Sequence, residues 1–190
     1  MTINIVIAGV GGQGTLLASR ILGAIAIENG WDVRVSEVHG MSQRGGNVTT
    51  YVRVSPDEAL YSTIVEQKQA DFVLAFESLE ALRVLPYLKE DGLMIVNEQR
   101  ILPMPVIVGA EEYPADTVER VRASANTVAL DALSIAEGCG SIKAVNVVLL
   151  GVLAKHMPFS REQWENAIKT SVKEGFFDIN VAAFDGGYML

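Results

Sequence analysis

The sequence is poor in several features that mark whole classes of protein. Cys139 is its only cysteine, so the chain closes no internal disulfide and lacks the about four thiolates that an iron–sulfur cluster takes. Its 15 basic residues against 23 acidic ones give a net charge of −8, which argues against nonspecific binding to nucleic acid or to an acidic membrane. The longest apolar run, around residues 147–154, is far shorter than the roughly 20 residues that span a bilayer.

Signals for export and for common enzyme classes are also missing. No basic segment with a cleavage site precedes the first apolar run, so we expect a cytoplasmic protein. Neither a G-x-S-x-G elbow nor a G-K-[ST] phosphate loop occurs, which leaves hydrolases and P-loop enzymes without support. The chain does have ample material for a core: 49% of its 190 residues are apolar, which suits a single domain over residues 1–190.

Short β-branched runs alternate with longer helix-like segments. Strands are predicted at residues 3–8, 32–38, 48–54, 70–76, 93–96 and 127–130, with a short edge strand at 105–108. Helices are predicted at residues 15–27 and 79–89, after Asp116, along 142–153 and after Ser160. This order predicts an α/β domain with a mostly parallel sheet. The connection between the second and third strands is too short for a parallel crossover, so these two strands are expected to be antiparallel if adjacent.

Several polar residues mark where helices begin and end. Side-chain caps at helix starts are predicted at Ser78, at Asp116 with Glu119, and at Ser160 with Gln163. The pair Asp91 and Gly92 is expected to end the helix that begins near Ser78. The final segment, residues 180–190, has no periodic pattern, and we expect an arm that becomes ordered only against a partner.

A glycine-rich turn directly follows the first predicted strand. Residues 9–14 read Gly-Val-Gly-Gly-Gln-Gly and open the first helix, which is the context that a G-x-G-x-x-G phosphate loop requires. Glycines there permit a tight turn, let backbone amides approach an anion and aim the positive end of the helix at it. The turn therefore favours contact with an anion or a cofactor. The alternative is a compact strand-to-helix turn without a ligand.

Glu37 is a second candidate for binding a cofactor. It lies 23 positions after Gly14, near the end of the second predicted strand, where dinucleotide-binding domains place the acid that holds a ribose hydroxyl. However, the eight-residue loop between strands two and three replaces the helical crossover of that fold. Contact with a ligand and a structural role, such as a salt bridge to Arg44 or capping of loop amides, both remain open for Glu37.

The segment after the second strand is the most unusual stretch in the chain. Residues 39–47 combine three glycines with the side chains of His39, Ser42, Gln43 and Arg44. Free backbone and clustered donors suit the binding of a phosphate, a carboxylate or a partner's polar edge, whereas the alternative is a flexible hairpin loop. Glu37 and His39 could face one metal ion, but the sequence offers no third ligand beside them, so no metal site is predicted.

Together these two loops resemble a known family. GVGGQG after the first strand and SEVHGMSQRGG after the second are similar to the gamma-type subunit or domain of 2-oxoacid:ferredoxin oxidoreductases, in particular the small (beta) subunit of indolepyruvate:ferredoxin oxidoreductase. The resemblance covers nearly the whole chain. It implies a Rossmann-like three-layer sandwich that joins a larger subunit carrying thiamine diphosphate and iron–sulfur clusters. The single cysteine agrees with clusters on that partner chain.

The resemblance also implies a reaction and a set of site residues. The reaction is oxidative decarboxylation of an aryl 2-oxoacid, such as indolepyruvate, to its acyl-coenzyme A, with electrons passed to ferredoxin. Thiamine diphosphate or coenzyme A phosphates would lie at the subunit interface, near Gly11, Gly12, Gln13 and Gly14. The active-site cavity or the partner subunit would face His39, Ser42, Gln43 and Arg44. Of these, His39 and Arg44 are the catalytic candidates, and the forked donors of Arg44 suit a carboxylate or a phosphate.

Two other functions compete with this one. The glycine turn and Glu37 could serve a self-sufficient NAD(P)-dependent dehydrogenase, which would bind its dinucleotide without any partner. The other competing hypothesis is a noncatalytic nucleotide-binding or scaffold module. The family resemblance instead predicts a hetero-oligomer whose small subunit is inactive alone, where it could form a homodimer.

Overall fold

A computed structural model describes residues 2–40 and 46–190 of the chain. The strands are β1 (Ile3–Val10), β2 (Asp32–His39), β3 (Asn47–Ser55), β4 (Ala70–Ala75), β5 (Leu88–Asn97) and β6 (Thr127–Leu130). The helices are α1 (Thr15–Glu28), α2 (Ser78–Val84), α3 (Met104–Ile107), α4 (Thr117–Ser124), α5 (Ala132–Gly138), α6 (Val145–Ala154), α7 (Arg161–Ser171) and α8 (Phe177–Tyr188).

The described strands form one six-stranded sheet in the order β2-β3-β1-β4-β5-β6. Strands β1, β4, β5 and β6 run parallel, whereas β3 is antiparallel to both of its neighbours, β1 and β2. The predicted antiparallel pairing of strands two and three is therefore confirmed. The sheet is mixed but mostly parallel, as the order of strands and helices predicts.

Helices cover both faces of the sheet. One core lies between the sheet and helices α1 and α5–α8, with Ile21, Trp164 and Phe184 among its buried side chains. The other core lies under α2 and α4 and includes Val73 and Val121. Alternation along each strand supplies apolar side chains to both cores, because successive residues point to opposite faces. The predicted α/β three-layer sandwich is confirmed.

The topology defines where a ligand crevice forms. Strand β1 connects through α1 on one face of the sheet, whereas the neighbouring β4 connects through α2 on the other face. In open α/β sheets, ligands bind outside the carboxyl ends of the strands at such a reversal. The glycine turn after β1 and the residues that follow β4 meet at this point.

The second predicted helix is shorter than expected and the following strand is longer. Helix α2 ends at Val84 because Pro86 cannot donate a backbone hydrogen bond to a continuing helix. Strand β5 then begins at Leu88, so Asp91 and Gly92 lie inside a strand and do not terminate a helix. A side chain at position 92 would be crowded, since a Cβ atom there would lie 3.0 Å from the carbonyl oxygen of Ala70 and 2.6 Å from Cδ1 of Leu88.

Two other local predictions are wrong, and one is confirmed. Residues 105–108 do not form an edge strand, because α3 begins at Met104 with a proline in its first turn, where the missing N–H costs nothing. Helix α4 starts after Asp116, but the Asp116 side chain makes no capping bond. The capping box of Ser160 and Gln163 is present at the start of α7.

The carboxyl-terminal segment is part of the core and not an arm. Helix α8 packs backbone to backbone against α6, and Gly151 and Gly187 permit this approach, because a Cβ atom on either would overlap backbone of the facing helix. Phe184 is buried between these helices and α7. Every residue of α6 is buried as well, yet no helix in the described ranges is long and apolar enough to cross a membrane.

Candidate functional site

The glycine turn has the backbone that its sequence predicts. Gly12 and Gly14 have φ values of 97° and 85°, a left-handed conformation that side-chain-bearing residues rarely adopt. Gly14 caps α1, and a Cβ atom on it would lie 2.6 Å from Nδ2 of Asn146, whose amide donates to the Gly14 carbonyl oxygen at 3.0 Å. The turn is thus fixed by α6 as well as by its own geometry.

Gln13 holds the turn onto the sheet. Its Oε1 accepts from the Val10 backbone N–H at 2.8 Å, and its Nε2 donates to the Phe76 carbonyl oxygen at 2.9 Å. These bonds join the carboxyl ends of β1 and β4 across the reversal point. Gln13 therefore holds the turn in position, and its expected contact with a cofactor stays a prediction.

The sequence interpretation missed a buried amide that extends this network. Asn97 ends the apolar strand β5 and is fully buried. Its Nδ2 donates to the Phe76 carbonyl oxygen at 3.0 Å and to Oε1 of Gln99 at 3.2 Å, while its Oδ1 accepts from the Ala132 N–H at 3.2 Å. The sequence signal for Asn97 is a polar residue directly after the apolar residues 93–96, at the carboxyl end of a buried strand.

A cleft of about 460 Å³ opens beside the glycine turn. It is lined by Gly12, Gln13, Gly14, Leu17, Gln99, Ile101, Leu133, Ile142, Lys143, Val145 and Asn146. Lys143 supplies positive charge, and none of these described lining residues is acidic. The first turn of α1 carries no acidic residue of its own, although the carboxylate of Glu37 accepts a hydrogen bond from Thr15 at its start. The cleft is suited chemically to an anion.

Glu37 is held by three side chains. Its Oε2 accepts from Oγ1 of Thr15 at 3.1 Å and from Oγ1 of Thr50 at 2.9 Å, and its Oε1 lies 2.7 Å from Nε2 of His39. Strand β3 separates Glu37 from β1, unlike the adjacent acid of a dinucleotide-binding domain. Glu37 therefore ties the start of α1 to the antiparallel strands, and nothing in this geometry favours the dehydrogenase reading.

The two predicted loops approach each other at their described ends. The Gly11 N–H donates to the Gly46 carbonyl oxygen at 2.9 Å, which joins the two loops, whereas the bond from the Gly40 N–H to the Asn47 carbonyl oxygen at 3.0 Å closes the second loop on itself. His39 leads into this loop with 63% of its side chain exposed. Ser42, Gln43 and Arg44, which the sequence nominates as site residues, lie outside the described residues.

A second cleft, of about 530 Å³, lies on the α2 side of the same edge. Glu77 is buried there and its carboxylate accepts from the N–H groups of Leu79, Glu80 and Ile101 and from the Tyr113 hydroxyl. Glu77 thus supplies the helix cap that the sequence assigns to Ser78. Burial and the bond to Glu77 raise the pKa of Tyr113 to about 12.

Glu80 is the most perturbed carboxyl beside this second cleft. Burial raises its pKa to about 7, against a smaller opposing effect of Arg83 and with a further increase from Glu77. The sequence interpretation did not single out either acid, although two glutamates directly after a buried strand are a signal. Within residues 2–40 and 46–190, no three His, Cys, Asp or Glu side chains converge as metal ligands.

Comparisons with known proteins agree over the whole length. Residues 4–190 match the family model for pyruvate ferredoxin/flavodoxin oxidoreductase. The indolepyruvate oxidoreductase subunit IorB of Thermococcus kodakarensis is 43% identical over 190 residues, which cover 97% of this chain and 93% of that protein. The gamma subunit of a keto/oxoacid ferredoxin oxidoreductase from Geobacter sulfurreducens is 26% identical with a TM-score of 0.74, covering 98% of this chain and 96% of that one.

The same fold also occurs inside a longer polypeptide. The 2-oxoglutarate:ferredoxin oxidoreductase of Magnetococcus marinus, solved with 2-oxoglutarate, coenzyme A and succinyl-CoA bound, matches with a TM-score of 0.76 and 20% identity. The match covers 99% of this chain but 30% of that one. At this identity the likeness concerns the fold alone.

Proposed function

The chain belongs to the pyruvate ferredoxin/flavodoxin oxidoreductase family as a subunit of an indolepyruvate or related 2-oxoacid:ferredoxin oxidoreductase, and we propose that its glycine-turn cleft receives a cofactor phosphate. The family resemblance predicted from the two loops is thereby confirmed. The enzyme is a multisubunit complex, and we infer that the partner is a larger subunit that carries thiamine diphosphate and the iron–sulfur clusters and reduces ferredoxin. The favoured substrate is an aryl 2-oxoacid, which the complex converts to its acyl-coenzyme A.

The observation that supports a phosphate in the cleft is the position of Lys143 beside the glycine turn, with no acidic side chain among the described lining residues. The two left-handed glycines at the start of α1 and Lys143 are all among the residues that line this cleft. A Cβ atom on Gly12 would meet nothing within 4 Å, so the backbone there is open to the cleft. Backbone amides at a helix start and a lysine together suit a phosphate.

The donor set of the described residues supports placing the iron–sulfur clusters, and any metal ion bound with the diphosphate, on the partner subunit. A metal-bound diphosphate needs oxygen ligands that converge, and no group of three potential ligands does so among the described residues. The one cysteine does not ligate a cluster by itself. We therefore infer that this subunit contacts a phosphate that the larger subunit also holds. When bound, thiamine diphosphate supplies the carbanion chemistry for decarboxylation.

The chain's own residues then act by binding and positioning. Gln13 keeps the turn on the sheet, while Lys143 and the start of α1 stabilise negative charge. Glu37 orients His39, whose exposed ring is proposed to face the partner or the active-site cavity. Ser42, Gln43 and Arg44 remain proposals from the sequence, with Arg44 as the group for a carboxylate or phosphate.

Lys143→Ala in the assembled complex tests the phosphate assignment. Loss of a charge-assisted hydrogen bond costs about 1.5–3 kcal/mol, so we expect the KM of the contacted cofactor to rise roughly tenfold or more. Steady-state rates are measured against coenzyme A and, separately, against thiamine diphosphate added to depleted complex. A raised KM for one of the two identifies the source of the phosphate.

Lys155→Ala is the matched control, because Lys155 lines a cleft at the opposite edge of the sheet. We expect the KM values for coenzyme A and for thiamine diphosphate to be unchanged in that variant. If Lys143→Ala also leaves both unchanged, the cleft holds no cofactor phosphate and the assignment is wrong.

A further inference from the structure

Exposed apolar side chains are concentrated beside the second cleft. Leu102, Met104, Ile107 and Val108 are each more than half exposed, within seven consecutive residues. Single exposed apolar residues are ordinary, whereas a contiguous group marks a surface that contacts another molecule. Leu102, Met104 and Ile107 line the 530 Å³ cleft together with Glu80, Glu111 and Glu112, and we call these six residues the acidic groove.

One residue of the acidic groove has a buried oxygen without a hydrogen-bond partner among the described residues. Glu80 is only 4% exposed, and its Oε1 lies 3.4 Å from Nη2 of Arg83. Its Oε2 is buried and has no hydrogen-bond partner within the two described ranges, 2–40 and 46–190. A buried carboxyl oxygen without a donor is unfavourable, so a group that donates to Glu80 would stabilise the protein.

The charge around the groove indicates the sign of that donor. Glu111 and Glu112 are exposed at its rim, and Arg83 is the cation among its described lining residues. Glu77 is already bonded to four donors and adds negative charge without being available for a new contact. A phosphate-bearing ligand is therefore disfavoured here, whereas a lysine or arginine side chain is complementary.

We propose that the acidic groove is the docking site for a segment of the larger subunit that inserts a lysine or arginine side chain toward Glu80 and packs apolar residues on Leu102, Met104 and Ile107. The proposal rests on the assignment of this chain as a subunit of a larger complex. The groove borders Val10 and Gly46, at the ends of the two loops, so a segment bound there comes next to the glycine turn. Docking and completion of the cofactor site would then occur together.

A second copy of this chain is a poorer occupant. A two-fold contact places the same patch on both sides, and the acids of one groove would face those of the other. Like charges brought together at an interface are unfavourable. The partner segment, with opposite charge, avoids this repulsion.

The test measures binding of the full small subunit to the purified larger subunit by titration calorimetry. We expect Ile107→Asp to weaken binding by at least tenfold, because it places a charge on the apolar wall. Glu80→Gln keeps the shape of the side chain but removes its charge, and we expect it to weaken binding about tenfold. Ile27→Asp is the matched control, since Ile27 is as exposed as Ile107 but lies at the end of α1, and its affinity should equal that of the parent chain.

Each outcome distinguishes the docking proposal from the proposed function. Binding of the parent chain with equal affinity for both groove variants would overturn the docking site and leave the subunit assignment intact. Failure of the parent chain to bind would overturn both. If Ile107→Asp instead dissociates a dimer of the small subunit, the occupant is a second copy and the proposal is wrong. Circular dichroism and thermal unfolding of each variant show whether it is folded.

Discussion

The two clefts at the carboxyl edge differ in charge and in how far their polar groups are satisfied. In the glycine-turn cleft, Gln13, Asn97 and Gln99 bond to one another or to backbone, and the described lining contains no acid. In the acidic groove, three of the six residues are glutamates, and Oε2 of Glu80 lacks a donor among the described residues. The polar side chains beside the glycine-turn cleft are hydrogen-bonded without any ligand, whereas Glu80 in the acidic groove can accept a further hydrogen bond from another molecule.

The position of these clefts explains the difference. Both border the reversal point between β1 and β4, and Ile101 lines each of them, but one lies toward α1 and α6 and the other toward α2. A small ligand bound without large rearrangement needs donors that are already oriented. A protein partner brings its own donors, so a groove for it can remain unsatisfied in the free subunit.

Gly14→Ala tests whether the glycine-turn cleft is rigidly built. The new side chain meets a φ of 85°, which costs about 1–2 kcal/mol, and it collides with Asn146. We expect the free energy of unfolding to fall by about 3 kcal/mol, the largest effect among these variants. Urea denaturation of the isolated chain measures it.

Gly23→Ala is the control for that variant, because Gly23 lies inside α1 and a Cβ atom there meets nothing within 4 Å. We expect it to be neutral or to stabilise the chain by about 0.5–1 kcal/mol. If Gly14→Ala is as stable as the parent chain, the turn can adapt to a side chain. The glycine-turn cleft would then not be more rigidly preorganised than the acidic groove.

Gln13→Ala tests the network under the turn. It leaves the Val10 N–H without its side-chain acceptor, while the Phe76 carbonyl oxygen keeps its bond from Asn97. An unsatisfied buried donor costs about 1–3 kcal/mol, and because the Val10 N–H is only partly buried we expect a loss of about 1–2 kcal/mol in urea denaturation. Gln99→Ala removes only the hydrogen bonds that its Oε1 accepts from Asn97 at 3.2 Å and from Gln13 at 3.5 Å. It should lower the free energy of unfolding by less than about 1 kcal/mol. A reversed order would mean that Gln99, and not Gln13, organises the edge.

The same contrast shows what the sequence could predict. The glycine turn follows from a local rule, because only glycine adopts the φ values of Gly12 and Gly14 at low cost, and the antiparallel pair follows from the length of one loop. The buried α8 was missed because its packing depends on Gly151 and Gly187, which are 36 residues apart in the chain but meet through close helix contact. Such long-range packing leaves no periodic signal.

The chemistry of the site was predicted less completely than the fold. The motif correctly located Gln13 at the turn, but a motif does not tell whether an amide faces a ligand or the backbone. Glu37 was predicted either to contact a ligand or to have a structural role, but its partners Thr15 and Thr50 come from other elements and could not be named from the sequence. Glu80 was missed because burial, which perturbs its carboxyl, depends on the packing of α2 against α4 and the sheet, which the local sequence does not reveal.

Glu80→Gln tests whether the unpartnered Glu80 carboxylate destabilises the fold, through the pH dependence of the free energy of unfolding. Burial raises the pKa of Glu80 to about 7 in the folded chain, above the ordinary value of 4.5 that applies when the chain is unfolded. A raised pKa in the fold means that the unfolded chain releases the proton first, so stability is lost as pH rises from about 4.5 to 7. Glutamine cannot ionise, and the variant should lose less stability over this window, by on the order of 1 kcal/mol.

Urea denaturation at pH 5, 6, 7 and 8 measures this difference on the isolated subunit. Glu111→Gln is the matched control, because it removes an exposed carboxylate from the same groove and should follow the parent chain. Parallel curves for Glu80→Gln and the parent chain would mean that the Glu80 carboxylate ionises without penalty. Glu80 would then not require a further hydrogen-bond donor, and this difference between the acidic groove and the glycine-turn cleft would disappear.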